Sequence, residues 1–190
     1  MGSYITIAFA CRWQNKHIFI QKCKELFSDS AAYITGLSCK YPADESYSVW
    51  NSINESIAQI ETLLDICFDR NLAEIRMDYI YKDRSIPGIV VKIEKILGDS
   101  IGIHFALPEI FLLDGFSIDC VEKEIVSVLK EKVRPFDYAF CDHETDIECD
   151  LIDVLEGNAK YSILVCNTTD SVVVRFANWK IDGLTSRHFC

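Results

Sequence analysis

Three strand-length runs follow one another between residues 73 and 107 with very little chain between them, and this stretch limits the fold more than any other. In residues 73–82, Ile75, Met77, Tyr79 and Tyr81 alternate with Arg76, Asp78 and Lys82. That is the two-residue period of a half-buried strand. Ser85-Ile86-Pro87-Gly88 reads as a turn into GIVVKIEKIL (88–97), and Gly98-Asp99 as a second turn into SIGIHFAL (100–107). Connections this short leave no room for a crossover, so the three runs must pair as an antiparallel meander.

The flanking sequence supplies helices to cover such a sheet. YITIAFAC (4–11) is apolar and β-prone. A helix is expected over about 16–28, because Phe19, Cys23, Leu26 and Phe27 fall on one face and Lys16, Lys22, Lys24 and Glu25 on the other. AAYITGLSC (31–39) follows as a strand, so the chain opens as β-α-β. After the break at Tyr41-Pro42, Asp44 or Ser46 can cap a long helix to Cys67. Its seam is Val49, Ile53, Ile57, Ile60, Leu64 and Cys67, with Ile53, Ile57, Ile60 and Leu64 expected to face the sheet. A third helix over 117–133 turns Ile118, Val121, Ile125, Val128 and Leu129 inward and stops at Pro135. FDYAFC (136–141), an acidic segment, and a hairpin of YSILVC (161–166) and SVVVRFANW (171–179) complete the chain. Grouped antiparallel strands with three helices predict an α+β fold, and 190 residues without a Ser/Gly/Pro-rich linker predict one domain over 1–190.

Composition narrows the function classes. The 19 Lys and Arg against 29 Asp and Glu argue against nucleic acid or an anionic membrane as partner, since both need clustered cations. The apolar stretches are strand-length, well short of the roughly 20 residues that a membrane helix needs. Met1-Gly2-Ser3-Tyr4-Ile5-Thr6 matches an N-myristoylation pattern. Tyr4 to Cys11 already reads as a core strand, however, and no basic patch supplies a second anchor. Nine cysteines at irregular spacing, several inside apolar runs, with no secretion signal at the N-terminus, read as reduced core residues of a cytoplasmic protein.

The charge is concentrated in one place. Between Phe136 and Gly157 stand eight of the 29 acids and no Lys or Arg, so the remaining 21 acids nearly balance the 19 bases. Asp142, Glu144, Asp146, Glu148 and Asp150 occupy alternate positions. In an extended chain these five would form one anionic stripe, more charge than an edge strand needs to resist aggregation. The run also lies in the frame of an EF-hand loop, but Ile147 stands where that loop needs Gly, and Asp153 where it needs Glu. Cys141, His143 and Cys149 lack zinc-ligand spacing, and no catalytic motif surrounds any Cys or His. His104, between Gly102 and Ala106 on a strand face, reads as a satisfied groove histidine. The expected functional surface is therefore the stripe, with Trp13, Tyr79, Tyr81 and Trp179 as aromatic anchors, and no metal or cofactor is expected.

The opening strand with Trp13, the long middle helix, FDYAFCDHETDIECDL (136–151) and the hairpin ending in RFANW together resemble the small α+β immunity proteins of bacterial polymorphic toxin systems. The resemblance implies a cytoplasmic protein that binds a cognate toxin domain and blocks its active site or substrate surface. It carries over no residue roles. An acidic stripe would suit a basic toxin cleft. A small enzyme or metal-binding protein using the Asp142–Asp153 carboxylates, and a generic interaction domain, remain the alternatives.

Overall fold

The computed structural model describes residues 4–27, 32–40, 51–52, 60–70, 73–81, 84–96, 99–110, 118–147, 151–158 and 161–177. In chain order the elements are β1 (Tyr4–Arg12), α1 (Lys16–Leu26), β2 (Ala32–Lys40), β3 (Asn51–Ser52), α2 (Ile60–Asp69), β4 (Glu74–Tyr81), β5 (Arg84–Ile96) and β6 (Ser100–Pro108). Then follow α3 (Ile118–Lys132), β7 (Tyr138–His143), α4 (Leu151–Glu156), β8 (Ile163–Asn167) and β9 (Val172–Phe176). All nine described strands join one sheet, ordered β3-β2-β4-β5-β6-β1-β7-β8-β9. Every neighbouring pair is antiparallel. The α+β expectation and the meander hold.

The opening β-α-β is a wide crossover. β1 and β2 run in the same direction, but β6, β5 and β4 lie between them. Asn15 starts α1 by accepting the Ile18 amide at 2.9 Å. Phe19, Ile20 and Cys23 of α1 and Ile60, Leu63, Leu64 and Cys67 of α2 are buried on the same face of the sheet as Val121, Ile125 and Leu129 of α3. Lys16 pairs with Asp65 and Asp69, and Lys24 with Glu61, across the exposed side of the α1–α2 contact. Such surface pairs fix orientation more than they stabilise.

Two local expectations are corrected. The helix expected from Asp44 or Ser46 to Cys67 does not extend that far back, because Asn51 and Ser52 are strand and pair with Cys39 and Ser38. The described helix is Ile60–Asp69, in which Ile60 and Leu64 are buried as expected. Ile53 and Ile57 lie outside the described residues. Likewise Ser85–Gly88 is no turn but part of β5. Between Met77 and Tyr79 the register slips, so that Pro87 and Gly88 oppose Asp78 alone. Gly88 has φ of 74°, and its amide donates to Asp78 Oδ1 at 2.8 Å. The Pro-Gly pair thus serves a β-bulge, where a missing N–H and a left-handed residue are both accommodated.

The face of the sheet away from α1, α2 and α3 has a core of its own. Ala8 and Ala10 of β1, Tyr138 and Phe140 of β7, and Leu164 and Cys166 of β8 are buried there with Ile147, Val154 and Tyr161. Phe140 and Tyr161 stack with centroids 3.7 Å apart. Among the described cysteines, Cys11, Cys23, Cys67, Cys141 and Cys166 are buried and form no disulfide, as the apolar runs around them imply. Burial pushes the thiols of Cys11, Cys23 and Cys166 above their ordinary range, Cys23 most of all. Among the described residues no helix is long and apolar enough to cross a membrane.

Candidate functional site

The acidic segment begins in the last residues of β7 and then crosses this second face. Asp142 is still in the strand, with its side chain inward and 7% exposed. Its two oxygens accept the amides of His143 at 2.8 Å and Ser162 at 2.9 Å. It belongs to the interior and does not share an exposed stripe with its neighbours. The reason is register: Asp142 lies on the same strand face as Tyr138 and Phe140, the face that packs into the second core. Asp137 has a comparable structural task, accepting the Arg12 amide at 2.6 Å.

The alternation then ends. Glu144 has φ of 46°, which turns the chain out of the strand, and its amide donates to the Tyr4 carbonyl at 3.1 Å. Residues 145–147 are not extended strand but a segment pinned to the sheet from below. The Thr145 amide donates to Thr6 Oγ1 at 3.2 Å, and the Ile147 amide to Glu94 Oε2 at 3.1 Å. The Ile147 side chain, 6% exposed, reaches down onto Gly102. A Cβ at Gly102 would overlap Ile147 Cδ1 and stand 3.0 Å from the Phe9 carbonyl, so only glycine leaves this seat open. Glu144 and Asp146 are exposed on the outer side, and Glu148 and Asp150 lie outside the described residues.

Beneath the segment sits a polar cluster that the local sequence did not reveal. Lys92 and His104 pair across β5 and β6, and Glu94 and Gly102 are the next pair on the same face. His104 is 5% exposed. Its Nδ1 lies 3.2 Å from Glu94 Oε1 and 3.8 Å from Asp146 Oδ1, and its Nε2 lies 3.5 Å from Thr6 Oγ1. The reading of His104 as a satisfied groove histidine holds. Glu94 carried no signal, since an acid in an alternating strand reads as solvent-facing until something covers it.

Burial pushes the Glu94 carboxyl up, but the bonds from His104 and the Ile147 amide, with the charges of His104 and Lys92, outweigh it and hold the group below its usual range. A carboxyl depressed by folding favours the folded state above its unfolded value of 4.5, and that gain is lost as pH falls through the lower folded value. Wild type should therefore lose stability below pH 4.5 more steeply than Glu94→Gln, read as urea midpoints across the acid range. Parallel pH curves would contradict this.

Two of the expected aromatic anchors, Trp13 and Tyr79, lie on the helix-covered side of the sheet and away from the segment. Trp13 is 39% exposed but stacks on Phe68 of α2 at 5.5 Å, on the helix-covered side. Tyr79 is half-buried against the helix-side core. Tyr81 pairs with Arg84 through its backbone, and Trp179 lies outside the described residues. Cys141 is buried in the helix-side core, whereas His143 is exposed beside Glu109, at 3.9 Å. Cys149 lies outside the described residues.

Comparison with curated proteins and with solved structures finds no match. A family model does match, over residues 1–187, and it describes immunity protein 64. This α+β chain, matched over residues 1–187, belongs to the immunity protein 64 family.

Proposed function

We propose that this immunity protein acts in the cytoplasm by binding a cognate toxin domain, and that Glu144, Asp146, Glu148 and Asp150 form the part of its surface that meets a basic face of that toxin. The observation that carries this reading is the mounting of the segment. Glu144 and Asp146 face solvent from a backbone fixed by Asp142, Thr145 and Ile147. Surface acids kept only for solubility need no such anchorage, because any mobile loop would present them. Acids on a backbone anchored in this way, by contrast, lose little freedom on docking and steer a cationic partner towards themselves. Masking a cleft needs no chemistry from the immunity protein, so the role is non-enzymatic.

The test is the rate of association with the cognate toxin domain. Changing Glu144 and Glu148 to Gln and Asp146 and Asp150 to Asn should slow association about tenfold or more at low salt and alter dissociation far less. The difference should shrink as salt shortens the Debye length towards ~8 Å. If the fourfold variant associates and protects as well as wild type, the segment is a solubility device. The interface would then lie on the other side of the sheet, where Trp13 is exposed.

A further inference from the structure

Glu94, His104 and Asp146 converge from β5, β6 and the pinned segment, and we propose that they form a binding site for one divalent transition-metal ion of the zinc type. One ligand atom from each of Glu94, His104 and Asp146 lies within 4.8 Å of the other two. The imidazole nitrogen is 3.2 Å from the Glu94 oxygen and 3.8 Å from the Asp146 oxygen. Ligand atoms at about 2.0–2.1 Å around a tetrahedral ion stand roughly 3.3 Å from each other. The ion therefore fits after a small inward movement of Asp146, whose side chain is 74% exposed.

Two of the three ligands are also held from behind. Glu94 turns its second oxygen to the Ile147 amide at 3.1 Å, and His104 turns its second nitrogen to Thr6 Oγ1 at 3.5 Å. Backing of this kind fixes ring and carboxylate orientation in metal sites. Two carboxylates and a neutral imidazole bring two negative charges to a dication, and the exposed Asp146 side leaves a position for water. A nitrogen ligand on so buried a histidine favours zinc-like ions over calcium and magnesium, which prefer all-oxygen shells. Glu94 and Asp146 stand 52 residues apart by the numbering, so no spacing motif marks the site. The assignment is independent of any toxin, since its readout is metal binding alone.

The experiment uses the full chain, stripped with chelator and kept reduced, titrated with cobalt(II). Cobalt held by nitrogen and oxygen gives weak visible ligand-field bands, whereas cobalt on any of the cysteines adds an intense thiolate charge-transfer band. We expect one cobalt ion per chain, no thiolate band, and displacement by zinc. Asp146→Asn and Glu94→Gln should each weaken binding about tenfold or more, as loss of a ligand must exceed the loss of an outer partner. Glu144→Gln, an exposed neighbour outside the cluster, should leave the affinity unchanged. If Glu94→Gln does not fold, the exposed Asp146→Asn still decides. The absence of saturable binding, an affinity indifferent to Asp146→Asn, or an equal loss in Glu144→Gln from a merely diffuse field would each overturn the proposal.

Discussion

Replacing Ile147 with Ala will cost about 2–3 kcal/mol and release the acidic segment from the sheet. The side chain is 6% exposed, and it occupies the second core with Ala8, Ala10 and Phe140. The cost belongs at the low end of the range for a buried isoleucine, because a surface-lying segment can relax where a central strand cannot. Loss of this plug should also raise hydrogen exchange at the Thr145 and Ile147 amides, whose acceptors are Thr6 and Glu94. Gly102→Ala should act through the same seat, since its Cβ would overlap Ile147 Cδ1. In the Ile147→Ala background that overlap is gone, so the two substitutions should couple by about 1 kcal/mol or more. Additive effects, with unaltered exchange at residues 145 and 147, would mean that Ile147 does not hold the segment.

Asp142→Ala is the second large effect, with an expected loss of about 2–3 kcal/mol. This carboxylate is 7% exposed and binds the Ser162 amide, which is itself buried at the start of the β8–β9 hairpin. Deleting it removes a charged acceptor from a place that water reaches poorly, and that penalty exceeds the value of an ordinary hydrogen bond. Asp142→Asn should recover only part of the loss, because its amide group turns a donor towards one of two donors. Asp146→Asn, by contrast, should stay within about 0.5 kcal/mol of wild type in urea unfolding, as surface changes usually do. Equal effects at 142 and 146 would contradict the burial of the first. The comparison also separates structural from functional acids: Asp142 should alter stability, and Asp146 should alter association.

The strands and helices that alternate or repeat most regularly are legible in the residue pattern itself. The meander of β4, β5 and β6, helix α1 from Lys16, helix α3 around Val121, Ile125 and Leu129, and the late hairpin all follow from period and turn length. Local pattern fails where two outcomes share one pattern. The seam from Val49 to Cys67 fits a helix throughout, yet Asn51 and Ser52 join β2, because a sheet edge offers backbone partners that no helical period records. Pro87-Gly88 signals a break in regular pairing, and turn and bulge both satisfy that signal. Only the pairing of β5 with β4 selects the bulge.

The acidic segment shows the same division most clearly. From sequence alone come its charge, its place between two strands, and the small residues Gly102 and Ala106 that leave a hollow beside His104 on one strand face. Tertiary structure alone decides that Asp142 turns inward, that Glu144 breaks the alternation, and that Ile147 fills the hollow. It also decides that Glu94 and His104 meet Asp146. The physical reason is that periodicity reports which side of an element is buried, whereas the partner across that side is set by sheet order. β1 lies between β6 and β7 because chain segments distant in sequence pair there, and no local interaction energy encodes that adjacency.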